Sequence, residues 1–454
     1  MTKYSTLAVG FLAVLAVAHS TFAAEAYSLA EKADDTRVVS VKTRMTVDGQ
    51  LHTARGDGKA TALPLKVEAT LNFRERRLAG TGRDAVAFRA LRHYDEAEAK
   101  IVVGGQASSA RLRPGINPFV AQGRRAGVEL YSLSTALTRG EIDLLDAAGD
   151  SLTISALLPP TKVEVGGKWS PDSWVAQTLT GCDAVLKSDL TCQLASVKNN
   201  VASMTFTGHV EGATDGASTK IEFSGSVRFD LKNQLIASVT LKQTEKRSVG
   251  PISPGTDVTA TVTVERAVEK TPTVLADIIA DRVPLDPQES HLLLAFRSPL
   301  GIGFQHDRGW HVFHQSGKLA ILRLLDKGSL IAQCNISRIP DVKPGKHTSG
   351  QVFQQDIATA LGKRLKEIVQ AEQLETNDGR FLYRVTAVGE ANGQPMHWIY
   401  YLCTAPSGKQ VAFVFAAESK LLEKLAKRDL GIVLGLEFLK AGRPPVRTTT
   451  DSPK

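Results

Sequence analysis

The chain has 454 residues, 43% of them hydrophobic, 6% aromatic and 22% charged, with a formal net charge of +8. That length exceeds what one core usually serves, so two or three domains are expected. Aromatics are too few for the two girdles of an outer-membrane barrel, and the modest charge argues against nucleic acid as a partner.

The first residues, "MTKYSTLAVGFLAVLAVAHSTFAAEA", read as a secretory signal peptide over residues 1–26. Lys3 supplies the positive start, Leu7 to Ala18 the apolar stretch, and Ala24-Glu25-Ala26 a cleavage pattern, with cleavage after Ala23 a second fit. The apolar stretch is too short to span a membrane, and no eighteen-residue apolar run follows it. No cysteine follows it either, so the usual bacterial lipid-attachment site is missing. An exported, periplasmic or secreted protein that does not span the membrane is expected.

From about residue 36 to 266 the chain carries a period-two alternation, which marks residues 27–266 as an antiparallel β-rich domain. In "LPLKVEATLNF", Leu65, Val67, Ala69, Leu71 and Phe73 share one face, while Lys66, Glu68, Thr70 and Asn72 share the other. "RVVSVKTRMTV", "TKIEFSGSVRFD" and "DVTATVTVER" repeat the pattern, which predicts antiparallel strands of a sheet wet on one side. Turns are predicted at "VDGQ", "RGDGKA", "GATDGAS" and "LKNQ". "KVEVGGKWSPDSW" followed by "GSVRFDLKNQLIASVTL" is similar to uncharacterised exported bacterial β-domains, and more loosely to the curved half-barrels of periplasmic lipoprotein carriers.

Residues 267–290 read as a proline-punctuated linker with one short helix. Residues 291–440 then change pattern. Short strands are predicted near 292–296, 309–314, 319–325 and 329–337, followed by an amphipathic helix over "QVFQQDIATALGKRLKEIVQ". Strands near 380–389, 396–404 and 410–417 lead into a closing helix, "SKLLEKLAKRDLGIVLGLEFL". The tail from Ala441 to Lys454 is rich in proline and threonine, which predicts disorder. The element order, together with "SPLGIGFQHDRGWHVF" and its strand opening at Gly309-Trp310, resembles the PsbP-like fold family. The resemblance implies an antiparallel sheet flanked by helices and a mostly non-enzymatic, accessory role. The expected fold class is therefore α+β, in several domains, with a mainly antiparallel β N-terminal region.

Residues 289–454 hold 22 Lys and Arg against 15 Asp and Glu. In an exported protein this suits an anionic surface or an acidic polymer, although a solvated basic domain is the plainer reading. "KLLEKLAKR" is basic and amphipathic, so peripheral membrane contact stays open unless its apolar side is packed. Four cysteines, Cys182, Cys192, Cys334 and Cys403, fall as two pairs. In an oxidising compartment they suggest disulfides 182–192 and 334–403, each worth roughly 2–4 kcal/mol; four buried thiols are the alternative.

Three stretches invite a chemical reading. "FQHDRGWHVFHQSG" places His306, His311 and His314 within nine positions. On one extended strand His306 and His314 stand more than about 20 Å apart, and His311 and His314 point to opposite faces. A metal would need ligands from elsewhere, so these are weak metal candidates and an ordinary strand is expected. "AAGDSLTIS" contains Gly149-Asp150-Ser151-Leu152, the letters of the nucleophile block of a large esterase family, but no D-x-x-H follows to supply a base. A hairpin turning at Ala-Gly-Asp is expected there instead. No nucleotide-binding glycine loop, calcium loop or cofactor motif occurs, so neither cofactor nor catalytic residues are expected. The resulting expectation is an exported, non-enzymatic envelope protein that binds an unknown envelope protein or a small hydrophobic ligand. A secreted hydrolase using Ser151 or a carboxylate pair, and a hydrophobic-ligand carrier lined by Leu65, Val67, Leu71 and Phe73, are the alternatives.

Overall fold

The computed structural model describes residues 25–439 apart from 33–34, 55–59, 79–86, 125–126, 251, 276–279, 281, 284–286 and 327. The signal-peptide segment before residue 25, the turn at 55–59, most of the linker helix and the tail from Ala441 lie outside the described residues.

The alternating stretches become long strands. β1 (Ala26–Tyr27), β2 (Val38–Ala54), β3 (Ala60–Arg77), β4 (Arg89–Val103), β5 (Gln106–Arg111), β6 (Phe119–Arg124) and β7 (Gly127–Ser132) come first. Then follow α1 (Arg139–Leu145), a 3-10 turn (Ile154–Leu157), β8 (Val163–Glu164), β9 (Lys168–Trp169) and α2 (Ser173–Thr180). β10 (Ala184–Lys198), β11 (Val201–Thr214), β12 (Ala217–Asp230), β13 (Leu235–Arg247) and β14 (Gly255–Val268) complete the set. Apart from β1 and β8, which pair with each other, these strands form one twelve-stranded open sheet. Its order is β7-β6-β4-β3-β2-β14-β13-β12-β11-β10-β9, with β5 beside β4. Asn199–Asn200 and Asp215–Gly216, all at positive φ, make the two-residue hairpins that suit the twist of the flanking strands.

Two local expectations are overturned. "VDGQ" is not a turn, because β2 stays paired through Asp48 and Gly49 to both neighbours. Gly49 serves close approach instead: a Cβ there would stand 2.2 Å from the Asp257 carbonyl oxygen. The hairpin expected around Asp150 is a helix and a 3-10 turn joined by a bend at Ala148–Gly149, as the capping box of Thr138 and Glu141 starts α1 in place of a strand.

The C-terminal part contains β15 (Leu294–Ser298), β16 (Ile302–His306), β17 (Trp310–Gln315), β18 (Leu319–Asp326), β19 (Ser329–Ile339), β20 (Leu365–Leu374), β21 (Phe381–Ala391), β22 (Gln394–Thr404), β23 (Gln410–Glu418) and β24 (Glu437–Phe438). Seven of them form an antiparallel sheet, β17-β18-β19-β23-β22-β21-β20, and β15-β16-β24 form a small second sheet. One face of the large sheet packs on the small sheet and the last helical turns, through Phe304, Trp310, Phe415, Leu425 and Ile432. The other face takes Phe353, Ile357 and Leu361 of the helix Gly350–Leu361.

The expected α+β class with flanking helices does not hold: the chain is mostly antiparallel β in several sheets. Both predicted helices are cut short. The first ends at Leu361, where Gly362 adopts φ 52 and ψ −127, and its second half becomes edge strand β20. The closing helix breaks at Ala426 and Lys427, both left-handed, into Leu422–Leu425 and Arg428–Leu434. "KLLEKLAKR" buries Leu425 in the core, with Leu421 and Leu422 packed against it.

Candidate functional site

The inner face of the twelve-stranded sheet is plugged over part of its length. Leu145 of α1, Ile154 and Leu157 of the 3-10 turn, and Val175 and Leu179 of α2 share one core with Leu71, Phe73, Phe206 and Leu241. Beyond this plug the inward alternation continues as Met45, Val47, Leu51, Leu63, Leu65, Val67, Ile101 and Val103, each partly exposed. The strand register places Val47 beside Val67 and Val67 beside Ile101, so these side chains form one continuous apolar stripe. Their outward neighbours Arg44, Thr46, Lys66 and Glu68 are exposed. The lining expected from sequence is thus divided: Leu71 and Phe73 belong to the filled core, whereas Leu65 and Val67 stand in the open end.

A polar border closes one side of this open end. On β13 the inward register after Leu241 reads Gln243, Glu245 and Arg247, facing Ala260, Val258 and Thr256 of β14. Gln243 is only 8% exposed, and its Oε1 has no hydrogen-bond partner among the described residues. Arg247 is engaged by Glu245 at 3.2 Å and Asp215 at 3.6 Å. On α1, Asp143 and Asp146 are exposed at the surface, although the protein around them partly desolvates both. That desolvation pushes both carboxyls up to about 6; Arg139 opposes the shift, while nearby Asp215 and, for Asp146, Asp150 and Asp183 add to it. Asp183 is raised too, mainly by burial, although its Oδ2 accepts the Asp215 amide at 2.7 Å. Sequence reading missed this border, yet its signal was visible: polar side chains on the apolar register of "LKQTEKR".

Ser151 lies in a buried ionic cluster. Its hydroxyl donates to Glu75 Oε2 at 2.7 Å, and it is 2% exposed. Arg92 donates to Glu75 at 2.9 Å and to both oxygens of Asp150, at 2.8 and 2.5 Å. Burial works to raise the Glu75 carboxyl, but Arg92, Arg266 and the Ser151 hydrogen bond together hold it below the usual range. A carboxylate so stabilised is a poor proton acceptor, and the hydroxyl is almost inaccessible to solvent. The cluster is built to hold the plug on β3 and β4.

The histidine stretch is two strands rather than one. His306 ends β16 in the small sheet, and Trp310 opens β17 in the large one. His306 is buried and its Nδ1 shares a hydrogen bond of 2.7 Å with its neighbour's carbonyl, Asp307 O; burial pushes it down to about 4. His311 is pushed to about 3 by burial, Arg139 and His306. A bulge between Val312 and His314 sets His311 opposite Arg323 and His314 opposite Ile321. His311 and His314 therefore share a face, contrary to the unbroken alternation expected. Among the described residues no group of three His, Cys, Asp or Glu is placed to hold a metal.

The expected disulfides are not formed: all four cysteines are free and buried. Cys182 Sγ lies against the backbone at Ala184 and Ala213, whereas Cys192 faces Phe206, about 20 Å further along β11. Cys334 is level with Phe415 and Ile399, and Cys403 lies four residues beyond Ile399 on β22. That is about 13 Å along the strand and two strand spacings across, well past bridging distance. No helix among the described residues is long and apolar enough to cross a membrane.

No family model matches this chain, and neither does any curated protein. Among solved structures, cyanobacterial PsbP from Synechocystis is similar over 32% of this chain and 92% of its own, at 19% identity and a TM-score of 0.26. Lipovitellin is similar over 54% of this chain and 26% of its own, at 10% identity and a TM-score of 0.31. DynF, of the dynemicin biosynthesis pathway of Micromonospora chersina, is similar over 55% of this chain and 88% of its own, at 6% identity and a TM-score of 0.15. Scores this low carry no functional argument, so the function is argued from the site alone.

Proposed function

We propose that this is an exported, non-enzymatic binding protein that holds a hydrophobic ligand in the open end of its N-terminal sheet. The observation that carries the reading is the partly exposed apolar stripe running from Met45 and Val47 through Val67 to Ile101. An inward register normally vanishes under a plug or a second sheet; here it is only partly covered while the strands run on. Burying several such side chains against an apolar ligand yields roughly 1.5–3 kcal/mol each before the costs of association. The hydrolase alternative is disfavoured by Ser151, whose hydroxyl is tied to a low-pKa carboxylate inside the core.

The test is native against denaturing mass spectrometry on protein recovered from its own compartment, beside the variant Val67→Glu. A non-covalent mass that leaves on denaturation, and is missing from the variant, supports the reading. Bare protein in both cases, with no uptake of an apolar fluorescent dye by either, overturns it.

A further inference from the structure

The seven-stranded sheet of the C-terminal part has two unlike ends. One end carries Trp310, whose carbonyl accepts a hydrogen bond from Arg139 of α1 at 3.1 Å, so it faces the N-terminal sheet. Lysines at that end are engaged: Lys424 pairs with Asp326 at 3.2 Å and Lys420 with Glu418 at 2.7 Å. At the other end, about 17 Å along β18 from Leu324 to Leu319, three connections lie side by side. The β17–β18 hairpin carries Lys318, the loop after β19 carries Lys343 and Lys346, and the β22–β23 hairpin carries Lys409. None of these four ammonium groups has a hydrogen bond or ion pair among the described residues. Lys318, Lys343 and Lys346 are fully exposed and Lys409 is partly so. The carboxylates nearby are mostly taken, Asp341 by Arg338 at 3.2 Å and Asp378 by Arg380 at 2.6 Å, which leaves Glu375.

This end is also held in place. Gln410, 2% exposed, donates to the Pro340 carbonyl at 2.7 Å and to the Thr348 hydroxyl at 3.1 Å, and accepts the Thr348 amide at 3.1 Å. The Val342 amide donates to the Gly408 carbonyl and the Gly345 amide to the Pro406 carbonyl, both at 2.9 Å. A Cβ at Gly408, where φ is 86, would fall 2.1 Å from the Val342 carbonyl oxygen, so glycine is what lets loop and hairpin lie this close. The lysines therefore project from an ordered platform, and little backbone freedom is left to lose on binding.

We propose that this end of the C-terminal sheet docks on an anionic phospholipid surface, with Lys318, Lys343, Lys346 and Lys409 as the contact. Uncommitted ammonium groups on adjacent connections suit a plane of diffuse negative charge. A discrete carboxylate or phosphate is better gripped by an arginine fork, and Arg338 and Arg380 are already engaged. Among the described residues, no large apolar side chain of these connections is exposed, so the contact is electrostatic adsorption without insertion. The surface is separate from the apolar stripe and does not depend on it.

The experiment is co-sedimentation of the purified protein with vesicles of phosphatidylcholine, alone or with three parts in ten of phosphatidylglycerol. Binding is expected only to the mixed vesicles, and it should vanish in 1 M salt, where the screening length is about 3 Å. Each lysine at such a surface is worth roughly five-fold in partitioning, so Lys343→Ser/Lys346→Ser/Lys409→Ser should weaken binding at least ~30-fold. Those side chains have no partners, so the variant should melt with the parent. The control Lys42→Ser/Lys66→Ser/Lys242→Ser makes the same charge change at exposed positions of the N-terminal sheet and should stay within about 3-fold of the parent. Equal losses in both variants would assign binding to net charge and overturn the docking surface, as would full binding by the first variant. Equal binding to both kinds of vesicle, or none to either, overturns it too. Polyglutamate bound in place of the mixed vesicles would make the partner an acidic polymer and overturn the lipid assignment.

Discussion

Arg92 is the residue on which the N-terminal core turns. It is almost inaccessible, and it pairs with Glu75 on the neighbouring strand and Asp150 in the plug. Removing one partner of a buried ion pair leaves the other charged and unpaired, so Arg92→Met is expected to cost about 3–5 kcal/mol in urea unfolding. A loss below about 1 kcal/mol would show that the pair only breaks even. Ser151 belongs to the same cluster, and a serine-directed covalent probe is expected to leave the native protein unlabelled. Gly49→Ala should also destabilise strongly, because the added Cβ falls 2.2 Å from the Asp257 oxygen with a backbone on which little can yield. These contacts join residues far apart in the chain: Glu75 and Ser151 are 76 positions apart. Sequence periodicity reports which face a residue occupies, and says nothing about which distant charge waits there.

At the scale of elements, most strands were legible and the helices only in part. Strand periodicity repeats every two residues and survives any tertiary context that buries one face. Helical spacing over "GKRLKEIVQ" was real, but Gly362 allowed the chain to reverse and β21 offered eight paired positions to Leu365–Leu374. Lys427 is held at φ 63, which costs a non-glycine residue roughly 1–2 kcal/mol. Lys427→Gly is therefore expected to stabilise by up to about 1 kcal/mol, read as a rise in the unfolding midpoint. The cysteines give a second check. Denatured without reductant, the protein should release four titratable thiols, and a mass about 4 Da lower would show that two bridges form after all. Cysteine count and compartment suggested pairs; distances between strands forbid them.

In the whole molecule, a seam joins β7 and the segment after it to the small sheet β15-β16-β24, the helix before it and the loop that leaves it. The Ala295 amide donates to the Leu137 carbonyl at 2.7 Å, Arg308 donates to the Leu130 carbonyl at 2.5 Å, and Tyr131 stacks on His291. Acid should act on the fold in two opposite ways between pH 4 and 6.5. His306 is pushed down from its ordinary 6.5 to about 4, so its contribution is present above pH 6.5 and is lost as pH falls toward 4. The shift corresponds to roughly 3 kcal/mol. Asp143 and Asp146, raised to about 6, favour the fold at low pH and lose that contribution as pH rises through 6. In thermal unfolding scans, His306→Gln should reduce the acid loss, with His311 supplying the remainder, and Asp143→Asn/Asp146→Asn should remove the opposing gain. Parallel curves for both variants and the parent would contradict this assignment.

By itself the sequence determined the strands, their inward and outward faces, and the change of pattern near residue 290, because side-chain alternation is a local property of an extended chain. It also placed the open stripe's apolar residues on one face, and carried Gln243 and Glu245 on that same register. Only the tertiary structure decided that α1, the 3-10 turn and α2 fill one part of the inner face and leave the other only partly covered. It also decided that Ser151 is sealed, that His306 and His311 belong to different sheets, and that the cysteines stand apart. Each of those outcomes depends on which strands become neighbours across long stretches of chain, and no local spacing encodes that.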